Sequence, residues 1–362
     1  MLKTAPAVFA VGENYQIMVP VISDSCMWIK VGDETYYDEW NGVMRSSARI
    51  HRVTVPRRLL DAAKAYTVCE KVMLDRCPYF PKSMPVVEKT FEFRPVPEKG
   101  DLRFYHISDS HSRTVGPISA ARQFGDIDFL VMVGDVPDDS SSVENLTSIY
   151  LVASELTHGN IPIVFARGNH DCRGILAESI AEYIPCSGGN TYYTFRIGSV
   201  WGLVLDCGED KPDDHEEYGG TVCFHQFRVR QTEFIKKVIS NADGEYAAKG
   251  VKHRLIIAHH PFTYRPKPPF DVEENIYREW TKLIGENIKP ELLIAGHTHE
   301  NGIFEKGGRI DSYGQFSTVI VGGKPLPEGD YIGCGVTLSD GCAEAVFTDS
   351  EKVLGEPYKI KF

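Results

Sequence analysis

Residues 161–171, Ile-Pro-Ile-Val-Phe-Ala-Arg-Gly-Asn-His-Asp, begin as an apolar run and end in groups that can bind a hard metal ion or act on a phosphate. A brief apolar run with little alternation is typical of a buried parallel strand. Open α/β sheets gather their functional groups just past the carboxyl ends of such strands. The stretch therefore predicts a strand of a parallel sheet with a site at its carboxyl end.

Four further apolar runs end in the same way. They are 102–108 before Asp109-Ser110-His111, 129–133 before Gly134-Asp135, 255–258 before His259-His260-Pro261, and 292–295 before Gly296-His297-Thr298-His299. Any single match could equally be a helix cap, a turn or a buried structural histidine. Five matches in one chain predict one site to which several strands contribute.

The order Asp-x-His, Gly-Asp, Gly-Asn-His-Asp, His-x-Pro and Gly-His-x-His resembles the calcineurin-like metallophosphoesterase superfamily, over about residues 101–362. The resemblance implies that the protein hydrolyses a phosphate mono- or diester through a metal-bound hydroxide. The alternation of strands and helices in this part, followed by extra strands, predicts an α/β fold of two sheets packed face to face with helices outside, an α/β/β/α sandwich.

The resemblance also implies two divalent metal ions and a set of seven ligands. Asp109, His111 and His299 are expected to hold the first ion; Asn169, His259 and His297 are expected to hold the second; Asp135 is expected to bridge the two. Two ions about 3.5–4 Å apart can clamp the attacking and leaving oxygens of a phosphate ester. Mixed nitrogen and oxygen ligands suit Fe, Mn or Zn, and fit Mg or Ca poorly.

Four residues near the ligands are expected to act on the substrate. In the family that the chain resembles, the histidine at His170 meets the phosphate or the leaving group, and Asp171 is expected to orient it. Arg173 could bind phosphate oxygens, and His260 could also face the substrate. For Arg173 and His260, an ordinary surface or packing role is an equally good interpretation.

The first part of the chain has a different pattern. Residues 1–95 contain short strand-like runs separated by turn residues and no strong helix, which predicts a small β-sandwich domain. Residues 96–100 are predicted to be a linker, and residues 101–362 the catalytic domain. This order is similar to that of purple acid phosphatases with a fibronectin-III-like N-terminal domain. Those enzymes have an iron-binding tyrosine where this chain has Asp138, which predicts a colourless protein.

The composition limits the partners. With a net charge of −11, the chain of 362 residues is a poor match for nucleic acid or an anionic membrane, and a small-molecule phosphate ester is the expected substrate. We find no signal-peptide pattern and no long apolar run, and the nine cysteines contain no Cys-x-x-Cys pair, so a cytoplasmic protein with reduced thiols is expected. The oligomeric state cannot be inferred.

Three alternatives remain open from the sequence. One is a structural or carbohydrate-associated protein that binds through exposed aromatic residues of the β-sandwich, for which Trp28, Trp40 and Tyr36 are candidates, although they are equally good core residues. A nuclease would share the ligands, although the acidic balance argues against it. A catalytically silent metal-binding adaptor of the same fold would have lost ligands, and this chain keeps all of them. The acid-rich segment 206–222 is predicted to be a long loop, and loops of that length are more often functional or mobile than structural.

Overall fold

A computed structural model describes residues 2–362 as a mixed α/β fold with several sheets, and the predicted α/β class with an all-β N-terminal region is confirmed. The N-terminal strands β1 to β10 are Ala7–Val11, Asn14–Pro20, Ser25–Val31, Glu34–Tyr37, Glu39–Trp40, Val43–Met44, Ile50–Pro56, Ala65–Asp75, Lys82–Ser83 and Val87–Glu92. A short helix, α1 (Arg57–Ala63), which the sequence pattern did not predict, lies between β7 and β8.

The remaining chain alternates strands and helices before it ends in further strands. Strands β11 to β23 are Leu102–Ile107, Phe129–Val133, Pro162–Ala166, Tyr193–Ile197, Val200–Leu205, His253–Ala258, Leu292–Ala295, Gly302–Phe304, Thr318–Val321, Lys324–Pro325, Tyr331–Ser339, Cys342–Thr348 and Val353–Lys361. Helices α2 to α5 are Val115–Phe124, Val143–Thr157, Phe224–Ser240 and Glu274–Leu283. Within residues 2–362, no helix has both the length and the apolar character needed to cross a membrane.

Two sheets pack face to face between two layers of helices. Along β12, Val131 points into the core between the sheets, whereas the next residue, Met132, points into the core beneath α2 and α3. Along β17, Ile294 faces the core between the sheets and Leu293 faces the core beneath α4 and α5. Alternate residues of a strand face opposite sides, so each of these strands is apolar on both faces.

Parallel pairing brings the strand ends together. In the larger sheet β11, β12 and β13 are parallel neighbours, and in the second sheet β15, β16, β17 and β19 are parallel neighbours. The carboxyl ends of parallel strands meet at one edge of a sheet, so each sheet presents the residues that follow these strands along a single edge.

The N-terminal region shares the larger sheet. Strand β1 pairs in parallel with β13, and β2 and β7 continue the sheet beyond β1. A separate sheet, in the order β10-β8-β3-β4, contains most of the other N-terminal strands. The division of the chain at residues 96–100 stays a prediction, but backbone hydrogen bonds already join strands from its two sides.

Candidate metal centre

The predicted ligands follow the carboxyl ends of five parallel strands. β11, β12 and β13 of the larger sheet and β16 and β17 of the second sheet each end one to three residues before a predicted ligand. The histidine and aspartate ligands form overlapping groups, and within each group the candidate donor atoms lie within 4.8 Å of one another. Both sheets therefore contribute to one site.

Left-handed backbone conformations direct these side chains. Five of the seven predicted ligands have φ between 45° and 70°: Asp109, His111, Asp135, His297 and His299. Such a conformation costs a non-glycine residue about 1–3 kcal/mol, and functional sites are where it is commonly found. Strand alternation does not direct Asp109 and His111, because both residues lie beyond the end of β11.

A glycine leaves room for the central carboxylate. A Cβ atom at Gly168 would lie 2.1 Å from Asp135 Oδ1 and 2.5 Å from the Asp135 amide nitrogen. The turn after β13 therefore packs its backbone directly against Asp135, and only glycine fits at position 168 without displacing it.

Asp109, His111 and His299 form the first predicted set. His299 Nε2 lies 3.5 Å from Asp109 Oδ1 and 3.1 Å from His111 Nε2. Burial lowers the pKa of both imidazoles, that of His111 to about 4, so both are neutral near pH 7. Burial also raises the pKa of Asp109 to about 7. Two facing imidazoles and a buried carboxyl group are a donor set that suits a transition metal.

Asn169, His259 and His297 form the second predicted set. Asn169 Oδ1 lies 3.1 Å from His259 Nε2 and 3.0 Å from His297 Nδ1. His259 Nδ1 donates to the Val133 carbonyl oxygen at 2.6 Å, so Nε2 is the nitrogen that faces the site. Burial lowers the pKa of His297 to about 3. A hydrogen bond to a backbone carbonyl oxygen, such as that of His259, commonly fixes the orientation of a metal-binding histidine.

Asp135 lies between the two sets. Its Oδ2 is 3.2 Å from His259 Nε2 of the second set, and its carboxylate is also grouped with His111 of the first set. Burial raises the pKa of Asp135, but the charge of His259 and hydrogen bonds outweigh burial and hold the pKa below its usual value. Burial lowers the pKa of His259, and the charges of Asp135 and Asp109 outweigh it and raise that pKa to about 10. The carboxylates thus attract positive charge to this point.

The Asn169 side chain tests whether a cation fits among these atoms. Its oxygen faces His259 Nε2, His297 Nδ1 and Asp135 Oδ2. A half-turn of the amide would instead let its nitrogen donate to these atoms at 3.1, 3.0 and 3.3 Å and its oxygen accept from Arg173 Nη2 at 3.1 Å. A cation here favours the first orientation, because the amide oxygen is an acceptor and the amide nitrogen is only a donor. The donor set therefore fits a divalent metal ion.

His170 adjoins the first set. Its ring centroid is 4.5 Å from that of His111. His170 Nδ1 lies 2.8 Å from the Asp138 carbonyl oxygen, and Arg173 Nη1 lies 3.1 Å from His170 Nε2. The structure thus places His170 beside the predicted ligands, where the sequence resemblance expects a residue that meets the substrate.

Asp171 does not orient His170, so this part of the prediction is wrong. Its Oδ2 accepts hydrogen bonds from the backbone amides of Asp135 and Gly168, at 2.9 and 2.8 Å. The two residues lie in a tight 3₁₀ turn in which Asp171 is fully buried and His170 is partly exposed. Burial, followed by the charge of Asp135, raises the pKa of Asp171 to about 7. These two hydrogen bonds instead hold the backbone of Asp135 and Gly168 in place.

Acidic side chains surround the guanidinium group of Arg173. Its Nε and Nη2 donate to Glu209 Oε1 and Oε2, both at 2.9 Å. Carboxylate oxygens of Asp210 and Glu217 lie 3.8 and 3.6 Å away. These residues balance its charge, so Arg173 is better placed to position His170 than to serve as a free phosphate ligand, and the predicted phosphate contact stays a prediction.

His260 packs against the second set of predicted ligands from the interior of the protein. It is 6 % exposed, and its ring centroid lies 4.1 Å from that of His297. Within residues 2–362 its Nε2 has no hydrogen-bond partner, and it lines a small cavity together with Asp210 and Tyr264. The predicted substrate contact of His260 stays a prediction.

The sequence did not predict the acidic partners of the turn after β13. Arg167 Nε donates to the buried carboxylate of Asp206 at 2.6 Å. Arg173 likewise donates to Glu209. The two arginines that flank the Gly-Asn-His-Asp turn are therefore each paired with an acidic residue at the start of the segment 206–222. The length of this segment was a signal of function, but neither its length nor its acid-rich composition identified the partners.

Comparisons with known proteins agree with this arrangement. The family model for calcineurin-like phosphoesterases matches residues 102–301, which include all seven predicted ligands. The structure of PhoD is similar, with a TM-score of 0.57 and 12 % identity, over 100 % of this chain and 90 % of that chain. A dimetal phosphatase from Danio rerio has a TM-score of 0.48 and 14 % identity, over 74 % of this chain and 99 % of that chain. No curated protein matches the sequence significantly. At 12 % identity the likeness to PhoD shows a shared fold alone.

Proposed function

Because the chain belongs to the calcineurin-like phosphoesterase family, we propose that it is a phosphoric ester hydrolase that uses two divalent metal ions. The observation that carries the proposal is the position of Asp135, whose carboxylate is within reach of both predicted ligand sets. A shared carboxylate between two such sets is what a two-metal site requires.

The proposed ligands divide as the sequence resemblance implied. Asp109, His111 and His299 would hold one ion, Asn169, His259 and His297 the other, and Asp135 both. When bound, two divalent ions neutralise phosphate oxygens and lower the pKa of a coordinated water. Imidazole nitrogens mixed with carboxylate and amide oxygens suit Fe, Mn or Zn better than Mg or Ca.

We assign His170 to the substrate. Its Nδ1 is engaged by the Asp138 carbonyl oxygen and its Nε2 lies 3.1 Å from Arg173 Nη1, so the phosphate or the leaving oxygen would meet Nε2 together with this guanidinium group. A positioned imidazole can transfer a proton or stabilise charge there. Asp171 would keep the amides of Asp135 and Gly168 in place and so support the metal site from beneath.

The proposed substrate is a small-molecule phosphate ester. A net charge of −11 disfavours nucleic acid, whereas two metal ions would supply the local positive charge that a small anionic ester needs. A cytoplasmic location stays a prediction that rests on the nine cysteines and their lack of a pairing pattern.

Paired chromogenic substrates test the proposal. Metal-depleted protein would be assayed with p-nitrophenyl phosphate and bis(p-nitrophenyl) phosphate, with Mn, Zn, Fe or no metal added. The proposal expects turnover that depends on metal and disappears in Asp135→Asn, and the faster substrate separates a monoesterase from a diesterase. A protein that binds no metal and turns over neither ester would contradict the proposal and favour an adaptor of the same fold.

A further inference from the structure

Glu209 is held firmly at the start of the segment 206–222, which we call the acid loop. Its side chain is 1 % exposed. Besides its two hydrogen bonds from Arg173, Glu209 Oε2 accepts one from the Tyr218 hydroxyl at 3.1 Å. Arg228 Nη2 donates to the Glu209 backbone carbonyl. Both the backbone and the carboxylate of Glu209 are therefore fixed.

Arg173 connects the Glu209 carboxylate to the imidazole of His170. Its Nη1 lies 3.1 Å from His170 Nε2, while the Asp138 carbonyl oxygen lies 2.8 Å from His170 Nδ1. A guanidinium group can only donate and a carbonyl oxygen can only accept. A neutral imidazole between them therefore carries its proton on Nδ1, and its ring cannot turn over without losing both contacts.

We propose that Glu209 is a positioning residue of the site, which acts through Arg173 to fix the orientation and the tautomer of His170. The catalytic consequence rests on the proposed function, whereas the effect on the imidazole does not. Through the Glu209 side chain, the acid loop contributes one positioning residue to a site whose predicted ligands all follow strand ends.

Glu209 is the best placed of the acidic residues around Arg173. It forms a two-pronged contact at 2.9 Å, the geometry in which a carboxylate holds a guanidinium group in one orientation. Glu217 lies 3.6 Å from Arg173 and its side chain is 43 % exposed, and exposed ion pairs contribute little. The acid loop also offers a matched control, because Glu216 is an exposed glutamate at a short distance in sequence.

The first test reads the imidazole directly and needs no substrate. Protein labelled with ¹⁵N-histidine, with and without added zinc, would be compared by ¹H–¹⁵N correlation spectra as wild type, Glu209→Gln and Glu216→Gln, with His170→Gln to assign the signal. Wild type and E216Q should show the Nδ1–H tautomer of His170, whereas E209Q should show a mixture of tautomers. An E209Q spectrum identical to that of E216Q would overturn the proposal.

The second test asks whether Glu209 acts through Arg173. In the chromogenic assay, E209Q should lower kcat by roughly tenfold, within the range of couplings inside one hydrogen-bond network, and should change KM little. R173Q should give the same loss and the same tautomer mixture, and the double variant should be no worse than R173Q. Additive losses, or full activity in R173Q, would overturn the proposal.

The two tests separate this inference from the proposed function. If wild-type protein turns over neither ester, the proposed function fails, and the tautomer comparison still decides the positioning role. Thermal unfolding checks that E209Q is folded. If E209Q is not folded, R173Q takes its place. This variant removes the partly exposed Arg173 side chain that links Glu209 to His170, and its tautomer spectrum then decides the proposal.

Discussion

Backbone geometry fixes the ligand-bearing strand ends, whereas ion pairs fix the acid loop beside them. At the strand ends, left-handed residues such as Asp135 and His299 and the close approach of Gly168 leave no freedom in where the ligands stand. In the acid loop, Asp206 and Glu209 are held by arginines. The difference implies that changes at the strand ends remove the metal site, whereas changes in the loop alter how well His170 is placed.

The largest effect is expected for Asp135→Asn. The neutral amide cannot balance two cations, so both ions should bind weakly and turnover should fall to the level of protein-free buffer. Metal analysis after dialysis and the chromogenic assay measure these losses. Asp214→Asn, an exposed change in the acid loop, should keep both metal and turnover. Equal metal content in D135N and wild type would contradict the role of Asp135 as a ligand shared by the two ions.

The next effect is expected for His170→Gln. Loss of a positioned acid–base or electrostatic group should lower kcat by roughly 100- to 10,000-fold, with metal content unchanged. His158→Asn is the matched control, because His158 is an exposed residue at the left-handed end of α3, a position that asparagine tolerates. Metal loss in H170Q would instead make His170 a ligand.

The strand ends could be predicted from sequence because their signal is local. An apolar run followed within three residues by Asp135 or Asn169 is a pattern contained in one short segment. The role of Asp171 was predicted wrongly, since adjacency to His170 does not reveal which way two side chains point in a 3₁₀ turn.

The remaining features depend on contacts between distant parts of the chain. Glu209 meets Arg173 from 36 positions away, and no spacing rule connects an acid-rich loop to one arginine. Strand β1 likewise pairs Val8 with Pro162, so the sharing of the larger sheet by the N-terminal region has no local signature.

A smaller effect is expected for Asp171→Asn. Both backbone amides donate to the same oxygen, Oδ2, and a neutral amide oxygen accepts them more weakly than a carboxylate. The amide nitrogen would be buried at the position of Asp171 Oδ1, which has no hydrogen-bond partner within residues 2–362. Residues that hold metal ligands in place by hydrogen bonds commonly change metal affinity by 10- to 100-fold, so metal affinity should weaken by roughly that factor. Metal titration measures it. Wild-type affinity with a selective loss of kcat would restore the idea that Asp171 acts through His170.

The smallest effect is expected for Glu217→Gln. Its pairs with Lys211 and Arg173 involve a side chain that is 43 % exposed, so the free energy of unfolding should change by less than about 1 kcal/mol. Chemical denaturation measures this value. A loss as large as that expected for a buried ion pair, about 3–5 kcal/mol, would show that the acid loop is held as rigidly as the strand ends.

Anomalous diffraction from crystals of the manganese- or zinc-loaded protein tests the central claim most directly. The account predicts two peaks about 3.5–4 Å apart. One should lie among Asp109, His111 and His299, the other should lie among Asn169, His259 and His297, and Asp135 should contact both. A single peak, or metal bound away from these side chains, would contradict a two-metal phosphoesterase site.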